Sequence, residues 1–312
     1  MALKARNAIL LAKIESSYGV DPTPTGGANA MLIRNLEAQP MNAELVSRDL
    51  IRGYYGNSDQ LVAAKFSTVS FEIEAAGSGT AGTAPAYDAL LKACGFDDTV
   101  VALTSVTYAP ISSSIPSVTF YFFVDGIRHK ITGAVGTFEL SFNVKQIPVF
   151  RFTFTGIYNA PSDTANPTPT YSGFIAPKVV NALFTQTFNL LSYNAVAESV
   201  SFNLGGETPF RSVFGTSVSD YALFQDRKPS GVAVIEEPTV AAKDNWTAAA
   251  NGTSGSLQLI HGTTAGNIIE LNCPTLTIGN PTLQESQGIQ MLSIPFTPVP
   301  NSGNDELSLI FT

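Results

Sequence analysis

The chain is most regular where it reads Phe138-Glu139-Leu140-Ser141-Phe142-Asn143-Val144, with apolar and polar residues in strict alternation. Successive side chains of a β-strand point to opposite faces, so a period of two gathers the apolar residues on one face. This stretch therefore predicts a strand with one face on a core and the other in water. The wet face is expected to carry Glu139, Ser141 and Asn143.

The same alternation occurs on both sides of this stretch. Residues 67–74 and 150–155 alternate apolar side chains with polar or charged ones, and both are rich in residues that favour strands. The wet face of the earlier stretch is expected to carry Ser70, Glu72 and Glu74. Several half-buried strands of this kind predict a mainly β protein.

Turn and helix signals separate these strands. Asp125-Gly126, between residues 117–124 and 127–132, is a dipeptide typical of a two-residue β-hairpin. Residues 85–95 begin with a proline, end with a glycine and carry apolar residues at helical spacing, so they predict a short helix. A second short helix is expected over residues 240–250.

The second half of the chain repeats the first at low similarity. Residues 199–204 echo residues 68–73, and the order of strand, helix, hairpin and two strands occurs twice. We therefore predict two tandem β-sandwich or barrel domains, each with a short flanking α-helix. The predicted divisions are an N-terminal arm over 1–40, a first domain over 41–160, a linker over 161–175 and a second domain over 176–312.

Composition excludes several classes of function. Charged residues make up only 13% of the chain and the net charge is −8, with no basic stripe for nucleic acid. Cys94 and Cys273 lie among apolar residues, which predicts buried thiols and no disulfide framework. No run has the length of a membrane span, and the apolar run near the start is too short for a signal peptide. These features predict a soluble protein made in a reducing cytoplasm.

Catalytic chemistry is not indicated by any motif. His129 and His261 are expected to be exposed, and neither stands in a nucleophile or metal-ligand pattern. No catalytic residue, cofactor site or metal site is predicted. Trp246 is expected to anchor its helix on the sheet; an alternative is a carbohydrate-binding β-sandwich that uses this side chain on its surface.

Several stretches resemble the tail tube proteins of phages with long, non-contractile (siphovirus-type) tails. The resemblance is best over residues 8–160 and at the C-terminus. It rests on these stretches: Leu11-Ala12-Lys13-Ile14-Glu15-Ser16-Ser17-Tyr18-Gly19, Asp21-Pro22-Thr23-Pro24, Phe71-Glu72-Ile73-Glu74, Gly79-Thr80-Ala81-Gly82, Pro85-Ala86-Tyr87 and Pro300-Asn301-Ser302-Gly303-Asn304-Asp305-Glu306-Leu307.

The resemblance implies a structural virion protein, not an enzyme, whose rings stack into a tube for DNA ejection. Rings with two tube domains per chain are trimeric with pseudo-sixfold symmetry. Implied partners are further copies of the chain, other tail proteins such as the tape measure, terminator and distal tail proteins, and double-stranded DNA passing non-specifically; no membrane is implied. The protein would assemble in the bacterial host cytoplasm and reside in the virion tail.

The resemblance also gives expected roles to particular segments. The arm over 1–40 and the glycine-rich loop over 77–83 would make contacts between rings, flexible when free. The polar faces would line a channel that is polar to acidic and offers phosphates no cation. The lumen-facing candidates are Ser70, Glu72, Glu74, Glu139, Ser141 and Asn143. A minor tail or capsid component, such as a terminator or decoration protein, is the alternative within phages.

Overall fold

A computed structural model describes residues 4, 6–214 and 220–312. Strands take up 50% of the chain and helices 5%, which confirms the mainly β prediction. In the described part the strands are β1 (Ala8–Ile14), β2 (Ala30–Met31), β3 (Arg34–Ser47), β4 (Gln60–Glu74), β5 (Phe96–Val101), β6 (Ser105–Pro110), β7 (Val118–Val124), β8 (Ile127–Asn143), β9 (Val149–Tyr158), β10 (Ser162–Asp163), β11 (Thr187–Leu190), β12 (Tyr193–Asn194), β13 (Ala197–Asn203), β14 (Gly206–Glu207), β15 (Phe210–Arg211), β16 (Tyr221–Ala222), β17 (Asp226–Arg227), β18 (Ser230–Glu236), β19 (Ser254–His261), β20 (Ile269–Ile278), β21 (Thr282–Ser286), β22 (Ile289–Pro298) and β23 (Ser308–Phe311). The helices there are α1 (Gly26–Asn29), α2 (Asp88–Ala93) and α3 (Asn245–Ala250).

Eight strands form one continuous antiparallel sheet, which we call the central sheet. Its order is β3-β4-β9-β8-β13-β18-β22-β21. The first four strands come from the first half of the chain and the last four from the second half. The two halves meet where β8 pairs with β13, and there Leu140 lies opposite Phe202.

A second layer covers the apolar face of the central sheet. Its larger part runs β11-β19-β20-β23-β6-β5, so the last strand of the chain pairs with a strand of the first half. Its smaller part joins β2, β1 and β7 to the first residues of β8. Helix α2 packs on the core through Leu90 and Leu91, both fully buried. One apolar cluster between the layers includes residues of both halves.

The predicted strands and the first helix are present, with one difference in β8. Residues 127–132 and 138–144 were expected to be separate strands, whereas β8 runs unbroken from Ile127 to Asn143. Its pairing with β9 shifts register between Thr132 and Val135, where Gly133 has a φ of 59°. An irregularity at this glycine therefore bends the strand without ending it.

The segment predicted as an arm is partly built into the fold. Strand β1 pairs with β7 along its whole length, and Leu10 and Leu11 are buried. The buried carboxylate of Glu15 accepts hydrogen bonds from the Gly19 amide at 2.6 Å and the Gly133 amide at 2.8 Å. Residues 1–3 and 5 of the predicted arm lie outside the described residues. A role of this segment in contacts between rings stays a prediction.

The predicted linker and the glycine-rich loop also lie where the halves meet. Residues 161–175 are irregular except for the two-residue strand β10. In the loop, the Gly79 amide donates to the carbonyl oxygen of Gly266 at 2.9 Å, and the Gly77 amide donates to Asn267 Oδ1 at 3.1 Å. This loop thus ties the two halves together. The division into two domains stays a prediction.

Candidate assembly site

The six predicted lumen-facing residues lie on one face of the central sheet. Ser70, Glu72 and Glu74 belong to β4 and the other three to β8, with β9 between them. Arg151 of β9 lies opposite Glu72 on one side and opposite Glu139 on the other. Directly opposed residues of paired strands share a face, so the six side chains form one surface. We call this surface the polar face.

The polar face also carries arginines, which corrects the expectation that it offers no cation. Arg34 Nε lies 2.9 Å from Glu72 Oε2, and its Nη1 lies 3.9 Å from Glu74 Oε1. Arg151 Nη2 lies 3.7 Å from Glu37 Oε2. The alternation of residues 150–155 already put Arg151 on a wet face. The strand order, which sets Arg151 between Glu72 and Glu139, could not be predicted from this alternation.

The part of the polar face that comes from the second half carries fewer charges, and Glu236 of β18 is on it. Ser201 lies opposite Ser141 on one side and Val232 on the other, and Val232 in turn lies opposite Pro295 of β22. A concavity of about 550 Å³ spans the junction and is lined on both sides of it, by Glu72, Glu139, Arg151, Ser201, Val232 and Thr297. The face is therefore concave, with most of its charges in the first half.

The two halves of the central sheet have the same strand order. In each half a hairpin (β3-β4 or β13-β18) precedes a short helix, and a second hairpin (β8-β9 or β21-β22) pairs back on it. Strand β3 thus corresponds to β13, β4 to β18, β9 to β22 and β8 to β21. The sequence echo of residues 68–73 in residues 199–204 therefore joins strands β4 and β13, which do not correspond in the sheet.

Counted from the strand ends, Leu283 takes the place of Leu140, because each lies three residues before the end of its strand. Ala38 takes the place of Phe202, because their partners on the next strand, Val69 and Gly231, each lie five residues before the end of that strand.

The outer edges of the central sheet are open in the described part of the chain. Strand β3 pairs only with β4, and β21 pairs only with β22. Leu140 and Phe202 at the internal junction are 0% and 1% exposed, whereas Leu283 is 57% exposed and Ala38 is half-buried. Equivalent positions are thus buried at the internal junction and more exposed at the outer edges of the central sheet.

The segments that connect the two strands of each first hairpin, β3-β4 in one half and β13-β18 in the other, differ. The β3-β4 pair continues past the end of β9, and residues 41–62 carry many exposed apolar side chains: Met41, Leu45, Val46, Leu50, Ile51, Tyr54, Tyr55, Leu61 and Val62. The corresponding connection of the second half folds back on the first half. There Phe210 stacks on Phe66 with ring centroids 5.3 Å apart, and the Ala222 amide donates to Tyr18 Oη at 2.7 Å.

The expected exposure of His261 is wrong. The side chain is 2% exposed, its Nδ1 lies 2.7 Å from Thr185 Oγ1, and its Nε2 lies 3.1 Å from the Lys178 carbonyl oxygen. Burial lowers the pKa of His261, and the Lys178 carbonyl partly opposes that shift. Leu257, Leu259 and His261 alternate along β19, so the period-two pattern already put this histidine on the buried face.

The remaining candidate groups are the two cysteines and Trp246. Cys94 and Cys273 are buried as expected; burial raises the pKa of both thiols, that of Cys273 to about 12 with a contribution from the Glu306 charge. Trp246 is 40% exposed and its Nε1 donates to Glu237 Oε1 at 3.2 Å. Across residues 4, 6–214 and 220–312, no cluster of three or more potential metal ligands occurs, and no helix is long and apolar enough to cross a membrane.

Comparison with known families identifies the chain. Its sequence matches the model of a family described as phage tail tube protein over residues 5–298. The chain belongs to the phage tail tube protein family. No curated protein matches it. Membership agrees with the resemblance in the N-terminal stretches, whereas the C-terminal stretch, residues 300–307, lies outside the matched range. It makes this tail tube chain a structural component of a phage tail.

Proposed function

We propose that three copies of this tail tube protein close a ring by pairing β21 of each copy with β3 of the next, and that stacked rings form the tube of a long, non-contractile (siphovirus-type) tail. The observation that carries the proposal is the β8–β13 pairing inside the chain. That pairing joins two similar halves, and β21 and β3 are the corresponding strands left at the outer edges.

The internal junction predicts the register of the junction between copies. Leu140 lies opposite Phe202, so Leu283 of one copy is expected opposite Ala38 of the next. This pairing would cover Leu283, which is 57% exposed in the single chain. It would also remove the open sheet edges, which otherwise invite uncontrolled pairing. A head-to-tail contact of this kind generates a closed ring when its rotation closes.

Strand number favours three copies over six. Three chains with eight central-sheet strands each give a wall of 24 strands, roughly 50 Å across between backbones at the usual strand spacing and tilt. Six chains would about double that width. The channel of the smaller ring is closer in width to one DNA duplex. The six half-chain repeats of that ring give pseudo-sixfold symmetry.

The concave polar face would line this channel and pass DNA without binding it. Arg34 and Arg151 stand beside Glu72, Glu74 and Glu37, so phosphates would meet cations that already have carboxylate partners. The strands of the second half add neutral side chains and the carboxylate of Glu236, and no cation. Few counterions would be released on contact, so DNA would move with little affinity for the wall. Tape measure, terminator and distal tail proteins are the further partners proposed for the tube.

A disulfide ladder tests both the strand pair and the number of copies. The variant Ala38→Cys/Leu283→Cys is oxidised after assembly and run on a denaturing gel without reductant. Opposed residues of paired strands bring Cβ atoms about 4.5–5.5 Å apart, close to disulfide distance. Cys94 and Cys273 are buried and stay out of the reaction. The expected ladder has bands of one, two and three chains and ends there.

The matched control is Gln39→Cys/Leu283→Cys. Gln39 neighbours Ala38 on β3 and points to the opposite face, so its thiol should not reach Leu283→Cys and the ladder should be absent. A ladder that continues to six chains would contradict the trimer. Assembled tubes without any Ala38–Leu283 crosslink would contradict the strand pair.

A further inference from the structure

The segment that connects β13 to β18 crosses the polar face of the first half. We call this segment, residues 204–229, the strap; residues 215–219 within it lie outside the described residues. The Gly206 amide of the strap donates to Thr137 Oγ1 at 3.0 Å. Thr137 shares its face with Glu139, because side chains two apart on a strand point to the same side. The strap thus contacts the polar face at β8.

A second contact lies two strands away, on β4. There the Phe210 ring of the strap stacks on Phe66, with ring centroids 5.3 Å apart. Phe66 shares its face with Ser70, because an even number of positions separates them along β4. Between the two contacts β16 lies against β8 and β9, and the opposed polar-face residues Val135 and Thr155 are only 4% and 9% exposed. The strap therefore covers the polar face from β8 to β4.

The β15-β16 pair of the strap has one side on the sheet and one side away from it. Phe210 lies opposite Ala222, which is buried, and both face the sheet. The neighbouring pair is Arg211 opposite Tyr221. Successive residues of a strand point to opposite sides, so Arg211 and Tyr221 point away from the sheet. In the proposed ring these two side chains point into the channel.

The guanidinium of Arg211 is oriented and has no carboxylate partner. Its Nη1 donates to Tyr221 Oη at 2.8 Å, and its central carbon lies 5.7 Å from the centre of the Tyr221 ring. Among the described residues, the ion pairs of the strap are those of Arg227 and Lys228. The Asp220 carboxylate, also in the strap, accepts from a backbone amide at 3.1 Å. Arg211 is thus an exposed cation that can bind an anion.

We propose that the strap narrows the channel once in each ring and that Arg211 contacts the phosphates of the DNA that passes there. The inference rests on the proposed function, which makes the polar face the wall of the channel. Stacked β-layers lie about 10 Å apart, so three straps would narrow the space between backbones from roughly 50 Å to roughly 30 Å. A guanidinium can bind two phosphate oxygens at once, and this one has no competing carboxylate.

The contacts with DNA would be few, because one Arg211 per chain gives three per ring. The arginines of the polar face, Arg34 and Arg151, already stand beside carboxylates. The wall therefore has little affinity for DNA, and the strap supplies the points that the duplex touches and that keep it centred. Contacts between cations and phosphates release counterions and weaken as the salt concentration rises. The straps should therefore slow ejection most at low salt.

Removal of the charge tests the phosphate contact. Arg211→Gln removes an exposed cation, so assembly should be unchanged. DNA ejection from these virions at low salt should be at least roughly twofold faster than from wild type, the size expected for loss of an exposed ion pair, and less dependent on salt. Arg211→Lys should restore the wild-type salt dependence. The control is Lys228→Gln, at a strap cation that already pairs with Glu207, and it should leave the rate unchanged. Equal rates for Arg211→Gln and wild type at every salt concentration would overturn the contact.

Photo-crosslinking separates this inference from the proposed function. A photoactivated phenylalanine analogue replaces Arg211, Ser201 on the polar face, or Thr99, which is exposed on β5 of the second layer. Virions are irradiated after ejection has been stopped midway. DNA adducts are expected at Arg211 and Ser201 and not at Thr99. Adducts at Ser201 without adducts at Arg211 would overturn the role of the strap and leave the proposed function intact. Adducts at neither position, or at Thr99 alone, would instead contradict the polar face as the channel wall.

Discussion

Leu140 of β8 and Phe202 of β13 face each other across the strand pair that joins the two halves of the chain, and both are buried. Each belongs to the same apolar cluster as residues from both layers. The halves therefore share a sheet and a core at this point. The same pairing is the pattern that we propose for the contact between copies.

Phe202→Ala should lower the free energy of unfolding by about 3–5 kcal/mol, because it leaves a cavity in a closely packed core. Val232→Ala is the matched control: Val232 lies one strand away on the polar face, and its loss should cost under about 1 kcal/mol. Urea unfolding measures both. Since the halves share their core, we expect one transition that moves as a whole. Two transitions, with only one shifted by Phe202→Ala, would speak against a shared core.

Arg227→Ala should destabilise the protein by about 3–5 kcal/mol, because it leaves a buried carboxylate without its cation. Arg227 Nε pairs with Glu306, its Nη1 donates to the Ile111 carbonyl oxygen at 2.7 Å, and its Nη2 donates to Asn304 Oδ1 at 2.6 Å. Thermal unfolding checks the loss. Lys228→Ala, at an exposed ion pair next in the chain, should change the unfolding temperature far less. Equal losses for both variants would refute a special role of the buried pair.

Stability should fall as the pH is lowered below about 6.5, the ordinary pKa of histidine. Burial holds the pKa of His261 below that value. Between the two pKa values the imidazole is therefore protonated in the unfolded chain and neutral in the folded chain. The free energy of unfolding then decreases with falling pH, by at most about 1.4 kcal/mol per unit for one such group. His261→Gln keeps hydrogen-bonding capacity but does not titrate, so it should flatten this slope. His129, whose pKa is also lowered by burial, should leave a residual slope. An unchanged slope in His261→Gln would show that another group is responsible.

Ser201→Lys should slow DNA ejection while tubes still assemble. Ser201 is exposed on the polar face and lies directly opposite Ser141 and Val232, so a lysine there has no carboxylate directly opposite it. A free cation facing the channel would bind phosphates. Ser201→Gln controls for side-chain size and should eject DNA at the normal rate. Fluorescent-dye measurement of ejection from purified virions gives the rates, and equal rates for both variants would count against this face as the channel wall.

Local patterns in the sequence predicted local structure well. The alternation of Phe138, Leu140 and Phe142 correctly gave a strand with one buried face, and the stripe around Leu90 and Leu91 gave α2. These features depend on residues close in the chain, where periodicity decides which face is buried.

Contacts between segments that are distant in the sequence could not be predicted from such patterns. The pairing of β8 with β13 and of β6 with β23 joins residues far apart in sequence, and no local period encodes strand order. For that reason Arg34 and Arg151 were not placed beside the glutamates of the polar face. His261 is different, because its alternation with Leu257 and Leu259 along β19 is a local pattern that already indicates the buried face.

The most direct test is a symmetry-resolved cryo-electron microscopy map of the assembled tube, with side chains traced at the junction between copies. We predict three chains per ring, a 24-stranded inner wall, and Leu283 of each copy opposite Ala38 of the next. Six chains per ring, or a ring in which β21 and β3 remain unpaired, would contradict the account.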